Sequence, residues 1–239
     1  DDKYYVEYDN KLVYVKKEDI SNIVESNNTD EEISKGFAVL NYHYTINKEA
    51  KEHLQCTQEI CLTDTLFDAH MKYLSDNNYF SLTLEEIEMF IDGKIRLPKN
   101  SVGITIDDGW YVGRSIIILE KYNLHGILFL IGSLAPISDY QSTNLEIASH
   151  TWNLHRKWGD FISASKEDAI NDLKKSRESL NNTKYFCYPF YQYNDNVISY
   201  LKETGFTMAF AGINRKVKVG EYKYLVPSYG IINTMTVDD

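Results

Sequence analysis

The chain has 239 residues, enough to bury a substantial core in one α/β domain of barrel size with a little left over. Its net charge of −10, with the lysines scattered, argues against a nucleic-acid partner, since phosphate binding needs a concentrated basic surface. No run of about 18 apolar residues exists, so no transmembrane segment is expected, and a start at Asp1 rather than Met is expected of a processed form.

In chain order, tyrosines and valines flank Asp9 and Asn10 between residues 3 and 17, which predicts a β-hairpin. Residues 18–35 are polar and acidic and read as a linker. A first buried strand follows over residues 37–43, so the chain divides into a hairpin and linker, 1–35, and a main domain, 36–239. Cys56 and Cys61 stand five apart in a polar segment, a spacing that suits a disulfide in an oxidising compartment and favours an extracellular or cell-surface location. Unpaired thiols, or a metal clip drawing on His53, are the alternatives; Cys187 is remote and sits in a strand pattern. Apolar spacing predicts helices over 65–77 and 83–90, the second capped by Thr83 with Glu86 three residues on. Strands over 102–106, 126–132, 145–148, 185–188 and 206–211 alternate with helices over 112–122, 166–180 and 195–204, the last closed by Gly205. Repeated βα units imply a parallel sheet, open or closed into a barrel.

In such folds the residues at the carboxyl ends of strands face the active-site mouth. Asp107 and Asp108 end one strand, His150 follows another, and His43 ends the first. His150 and His155 are five apart, which on a helix would put them about 140° from one another, so a loop must fold back between them. Thr151 can bond the local backbone there and Asn153 tolerates unusual dihedrals. Two neutral imidazoles and one carboxylate leave open positions on a divalent ion, with zinc favoured and iron, nickel or cobalt also suited. Two adjacent aspartates cannot easily bind one ion together, so one ligates while the other takes a proton. The aromatic content, 19 Tyr, 10 Phe and 3 Trp, is compatible with stacking on sugar rings and equally with ordinary packing.

These blocks resemble the polysaccharide deacetylases of the NodB-homology type, carbohydrate esterase family 4. Thr105-Ile106-Asp107-Asp108-Gly109 is similar to that family's Thr-Phe-Asp-Asp-Gly block. By the likeness Asp107 is the general base and Asp108 a metal ligand. The stretch from Ser149 through His155 resembles the metal-histidine block, making His150 and His155 the other ligands, and its five-residue spacing is that of poly-N-acetylglucosamine deacetylases. Cys187-Tyr188-Pro189-Phe190-Tyr191 resembles the third block, which lines the groove and supplies a backbone N–H to the oxyanion; Phe190 stands where the family has tyrosine.

The resemblance implies a distorted (β/α) barrel of fewer than eight units, preceded here by the short β-hairpin appendage. It also implies that a metal-bound water, deprotonated by Asp107, attacks an acetamide carbonyl of an acetylated polysaccharide or oligosaccharide, with the oxyanion held by the metal and the Phe190 N–H. Trp110, Trp152, Pro189, Tyr191 and His43 are the expected substrate-binding residues. Departures are visible as well. Cys187 occupies a place where many members have an arginine, Ser228 follows Pro227 where an arginine is common, and no histidine follows His155, leaving His43 or water to protonate the amine. Two other readings follow from these features: a catalytically weakened carbohydrate-binding protein on the same scaffold, and a magnesium-dependent phosphoryl hydrolase, for which two imidazoles are poor ligands.

Overall fold

The computed structural model describes residues 3–8, 11–16, 33–47, 49 and 58–238. Strands β1 (Lys3–Tyr8) and β2 (Lys11–Lys16) pair antiparallel, Lys3 opposite Lys16 and Tyr8 opposite Lys11, as the hairpin pattern predicts. Its turn residues Asp9 and Asn10, most of the linker, and both His53 and Cys56 lie outside the described residues. The end of the predicted linker is not free: the Ser34 N–H donates to the Leu97 carbonyl at 2.8 Å, and Ile33 bridges Pro98.

The main sheet begins with β3 (Ala38–Tyr42). A small parallel pair follows, β4 (Tyr44–Ile46) and β5 (Cys61–Thr63), which the sequence reading did not separate from its surroundings. Helix α1 (Asp64–Asp76) is capped by the Thr63 hydroxyl and leads to β6 (Phe80–Ser81). Helix α2 (Leu84–Ile91) starts with the predicted capping box, the Thr83 hydroxyl accepting from the Glu86 N–H and the Glu86 carboxylate accepting from the Thr83 N–H. Then come β7 (Ser101–Asp108), α3 (Gly113–Lys121), β8 (Gly126–Leu130), β9 (Leu145–Ser149), α4 (Lys166–Ser179), β10 (Tyr185–Cys187), α5 (Asp195–Glu203), β11 (Met208–Ala211), β12 (Val226–Pro227) and β13 (Tyr229–Gly230).

The strands run parallel in the order β12, β11, β10, β9, β8, β7, β3, β13, with β6 also on β7. Both ends of that order are one short stretch of chain. β12 pairs with β11 and β13 with β3, while between them the Ser228 N–H and hydroxyl donate to the Ala211 carbonyl at 3.0 and 3.1 Å. Residues 226–230 thus draw the two edges of the sheet together into a distorted, nearly closed barrel with fewer than eight βα units. No helix among the described residues is long and apolar enough to cross a membrane.

Side chains alternate across each strand and sort into separate cores. Phe37, Val39, Ile127, Phe129, Ala148, Tyr185, Cys187, Met208 and Phe210 fill the barrel interior, stoppered by Leu84, Ile87 and Phe90 of α2. The intervening residues face outward, Ile104, Ile106, Leu128 and Leu130 towards α1 and α3, Phe186 and Ala209 towards α4 and α5. This parity decides which polar residues reach the mouth.

Candidate active site

On β7 the inward positions are Gly103, Thr105 and Asp107. A Cβ at Gly103 would meet Val39 and Ile87 of the interior, and Thr105 Oγ1 accepts from Asn41 Nδ2 at 3.0 Å. Asp107 is therefore aimed into the barrel, where it is 1% exposed. A regular strand would turn Asp108 outward with Ile104 and Ile106. Instead Asp108 adopts φ 75°, a left-handed conformation costing about 1–2 kcal/mol for a residue with a Cβ, and its carboxylate swings back over the mouth. Gly109 continues the turn at φ 115°, where a Cβ would lie 2.5 Å from Leu130 Cδ1.

His150 follows β9 with inward parity, its N–H bonded to the Leu130 carbonyl at 3.0 Å. The reversal needed to bring back His155 occurs at Thr151, φ 72°, rather than at Asn153, and the Thr151 hydroxyl is buried without a hydrogen-bond partner. What holds the loop is Asp172 of α4. Its carboxylate accepts from the amides of Trp152, Asn153 and Leu154 at 2.7, 2.8 and 3.1 Å. Sequence reasoning missed Asp172, although an acid beside Ala169, Ile170 and Leu173 on the buried face of a helix was a usable signal.

The loop brings the His150 and His155 rings to 4.6 Å between centroids. Asp108 Oδ1 then lies 3.5 Å from His150 Nε2 and 3.3 Å from His155 Nε2. His150 Nδ1 stands 2.8 Å from the Cys187 carbonyl, which can only accept, so Nε2 carries the lone pair. Burial, reinforced by His155, holds the His150 imidazole well below its usual pKa and hence neutral. Asp108 Oδ1 is buried without a hydrogen-bond donor. Asp108 Oδ1 and the His150 Nε2 lone pair, two acceptors 3.5 Å apart, repel one another unless a cation lies between them. The two separations from Asp108 Oδ1, to His150 Nε2 and His155 Nε2, match the roughly 3.3 Å edges of a tetrahedron with metal–ligand bonds of about 2.0–2.1 Å. Asp108, His150 and His155 therefore fit a divalent metal ion.

Asp107 adjoins these ligands, its Oδ2 4.0 Å from His150 Nε2. Burial and the neighbouring Asp108 carboxylate push Asp107 up to about 8. Its Oδ2 accepts a hydrogen bond from the Cys187 thiol at 3.4 Å, and its Oδ1 has no partner. Among the described residues no lysine or arginine pairs with it, so a thiol stands where the family resemblance led one to look for a guanidinium. The Tyr191 hydroxyl donates to Asn41 Oδ1, and its ring lies against Gly212 and Gly230, at a distance that leaves no room for a Cβ on Gly212.

A cleft of about 270 Å3 opens above, lined by Asp107, Asp108, His150 and His155 together with His43, Trp110, Phe190 and Tyr191. Phe190 and Tyr191 take φ 53° and 56°, an unusual pair that turns both rings towards the mouth, and the Phe190 ring stacks on His155 at 4.5 Å. Pro189 is buried beneath that turn and does not line the cleft. Trp152 is placed elsewhere: its ring covers Gly132, and Lys175 of α4 lies 4.4 Å over it. The Asp172 clamp aims the Trp152 amide, and with it the indole, away from the mouth. Tyr44, Arg156 and Trp158 are at or beside the cleft and were not singled out from sequence. Tyr44 packs against Trp110 and Tyr111, and Trp158, 70% exposed, packs against Phe190.

Known proteins share this arrangement at the level of family and fold. The family model described as polysaccharide deacetylase matches residues 94–209. The chain is similar to the protein YxkH of Bacillus subtilis (strain 168), named as a polysaccharide deacetylase, at 26% identity over 155 residues, which span 59% of this chain and 55% of that protein. Among solved structures, the Streptococcus pyogenes deacetylase PplD in complex with acetate superposes with a TM-score of 0.72 at 19% identity, covering 85% of this chain and 95% of that one. A de-N-acetylase from Aggregatibacter actinomycetemcomitans superposes with a TM-score of 0.67 at 24% identity, covering 84% and 96%. Residues 94–209, which hold both aspartates, both histidines and the turn at Phe190, match the polysaccharide deacetylase family.

Proposed function

We propose that this chain is a metal-dependent hydrolase that removes N-acetyl groups from an amino-sugar polymer, with residues 36–239 as the catalytic domain. The observation that carries the reading is the convergence of His150 Nε2 and His155 Nε2 on Asp108 Oδ1, at 3.5 and 3.3 Å, beside a second, unligated carboxylate. A divalent ion held there, Zn2+ by the donor set, supplies Lewis acidity and lowers the pKa of water bound to it. Asp107 takes the proton of the attacking water and, being buried, is suited to return it to the departing amine. The Tyr191 and Gln192 amides are engaged by the Tyr188 and Pro189 carbonyls, and the Phe190 amide, at the head of the turn, is the donor offered to the oxyanion. Acetate and a free amine leave.

Trp110 and Tyr191 supply the aromatic and polar walls for the sugar, with His43 held neutral by burial beside them. Bound acetate in the Streptococcus pyogenes deacetylase and the name of the Aggregatibacter actinomycetemcomitans enzyme support the N-acetyl substrate. Cys61 is disulfide-bonded, which supports an extracellular or cell-surface location. The test is acetate release from N-acetylglucosamine oligomers by metal-reconstituted protein, beside Asp107→Asn, with bound metal measured in both. Release by the parent, and loss in a variant that still holds metal, is expected. Stoichiometric metal without release from oligomers, peptidoglycan or acetylated xylan would support the weakened carbohydrate-binding protein, a reading favoured by the Cys187 thiol, rather than a lysine or arginine among the described residues, bonding Asp107.

A further inference from the structure

We propose that the barrel mouth contains a second cation position, formed by Asp107, His150 and Cys187, which takes thiophilic divalent ions and disables the base when filled. The position follows from strand parity and barrel curvature, since Asp107 ends the inward row of β7, Cys187 ends that of β10 across the mouth, and His150 follows β9 between them. The Cys187 sulfur is 3.4 Å from Asp107 Oδ2, which is 4.0 Å from His150 Nε2, and all three donor atoms lie within 4.8 Å of one another. A tetrahedral ion with bonds of about 2.3 Å to sulfur and 2.0 Å to nitrogen or oxygen needs donor separations of roughly 3.3–3.5 Å, so small side-chain rotations suffice. Each of the three residues is 1% exposed, and Asp107 Oδ1 remains buried with no partner.

The two positions compete. His150 Nδ1 is tied to the Cys187 carbonyl, so Nε2 is its one free lone pair and it serves either the Asp108–His155 position or the Asp107–Cys187 position. Ligand softness sets the preference: a thiolate draws cadmium and zinc, whereas the imidazole and carboxylate set also suits cobalt, nickel and iron. On binding, sulfur–metal, nitrogen–metal and oxygen–metal bonds form, the thiol proton and any proton held by the Asp107 carboxyl leave to solvent, and no electrons are transferred. The Asp107 lone pair is then engaged and cannot accept a proton from water. The binding claim stands on this geometry alone, while its consequence for catalysis rests on the proposed role of Asp107.

The test titrates the metal-free full chain with cadmium chloride and follows the ultraviolet thiolate-to-cadmium charge-transfer absorbance. Cys187 is the free cysteine and Cys61 is disulfide-bonded, so one thiolate per chain is expected at saturation. The band should vanish in Cys187→Ser and persist in His155→Ala, which removes a ligand of the other position only. In the parent, acetate release should fall with added cadmium, and Cys187→Ser should need at least about tenfold more for half-inhibition. No band in the parent, an undiminished band in Cys187→Ser, or its loss in His155→Ala would overturn the proposal. If every form proves inactive, the absorbance still decides, so this inference and the deacetylase reading fail separately.

Discussion

Asp172 offers the sharpest check on how the metal ligands are positioned. Asp172→Ala removes an anion that accepts three backbone amides at 2.7–3.1 Å. Hydrogen bonds to a charged acceptor contribute about 1.5–3 kcal/mol each. Three amides share one carboxylate, however, and Asn153 is exposed, so water replaces part of the loss; a net cost of roughly 2–4 kcal/mol follows. The cost falls mainly on His155. Its Nδ1 is buried without a partner, so its ring is aimed only by the clamped loop and by the Phe190 stack. His150, held by β9 and the Cys187 carbonyl, should stay in place. Weakening one ligand of three through a residue that touches no metal typically lowers affinity about 10–100-fold, or ~1.4–2.8 kcal/mol. Competition against a chromophoric chelator measures that affinity, and thermal melting of the metal-free variant reports the fold. Asp172→Asn, which keeps one acceptor oxygen, should fall between parent and alanine. A folded Asp172→Ala that binds zinc within about twofold of the parent would refute the clamp.

Two further outcomes follow from the site. Gly212→Ala places a methyl into the Tyr191 ring, which cannot retreat without breaking its bond to Asn41; overpacking should cost about 1–3 kcal/mol on denaturant unfolding and lower acetate release, and unchanged stability with normal activity would contradict that packing. Asp107 in the metal-free protein is raised to about 8 from an unfolded value near 3.9, so its contribution to stability is full below about pH 4 and is lost as pH rises towards 8. Asp107→Asn does not titrate, so its melting temperature relative to the metal-free parent should rise between pH 5 and pH 8; a constant difference across that window would be the contrary result.

Much of this architecture is legible locally. The βα alternation follows from apolar periodicity, the start of α2 from Thr83 and Glu86, and the placing of Asp107, Asp108 and His150 at strand ends from the apolar runs that precede them and the aspartate pair itself. Each of those signals lies within a few residues of the feature it predicts. Other features have no local signal. The two-residue strands β12 and β13 exist only because β11 and β3 present edges for them to join. Trp152, adjacent to the histidine block, faces away from the cleft because Asp172, 20 residues later, fixes the direction of its backbone.

The sequence by itself determined the class of fold, because strand parity and helix caps act over neighbouring residues, and its motif blocks carried the family resemblance and singled out the four polar residues of the candidate site. Only the tertiary structure decided that Asp108 turns inward at φ 75°, that His155 returns to His150, and that a thiol 80 residues away meets Asp107. These depend on barrel closure, which brings distant strand ends to one mouth and sustains backbone conformations that no isolated segment would hold.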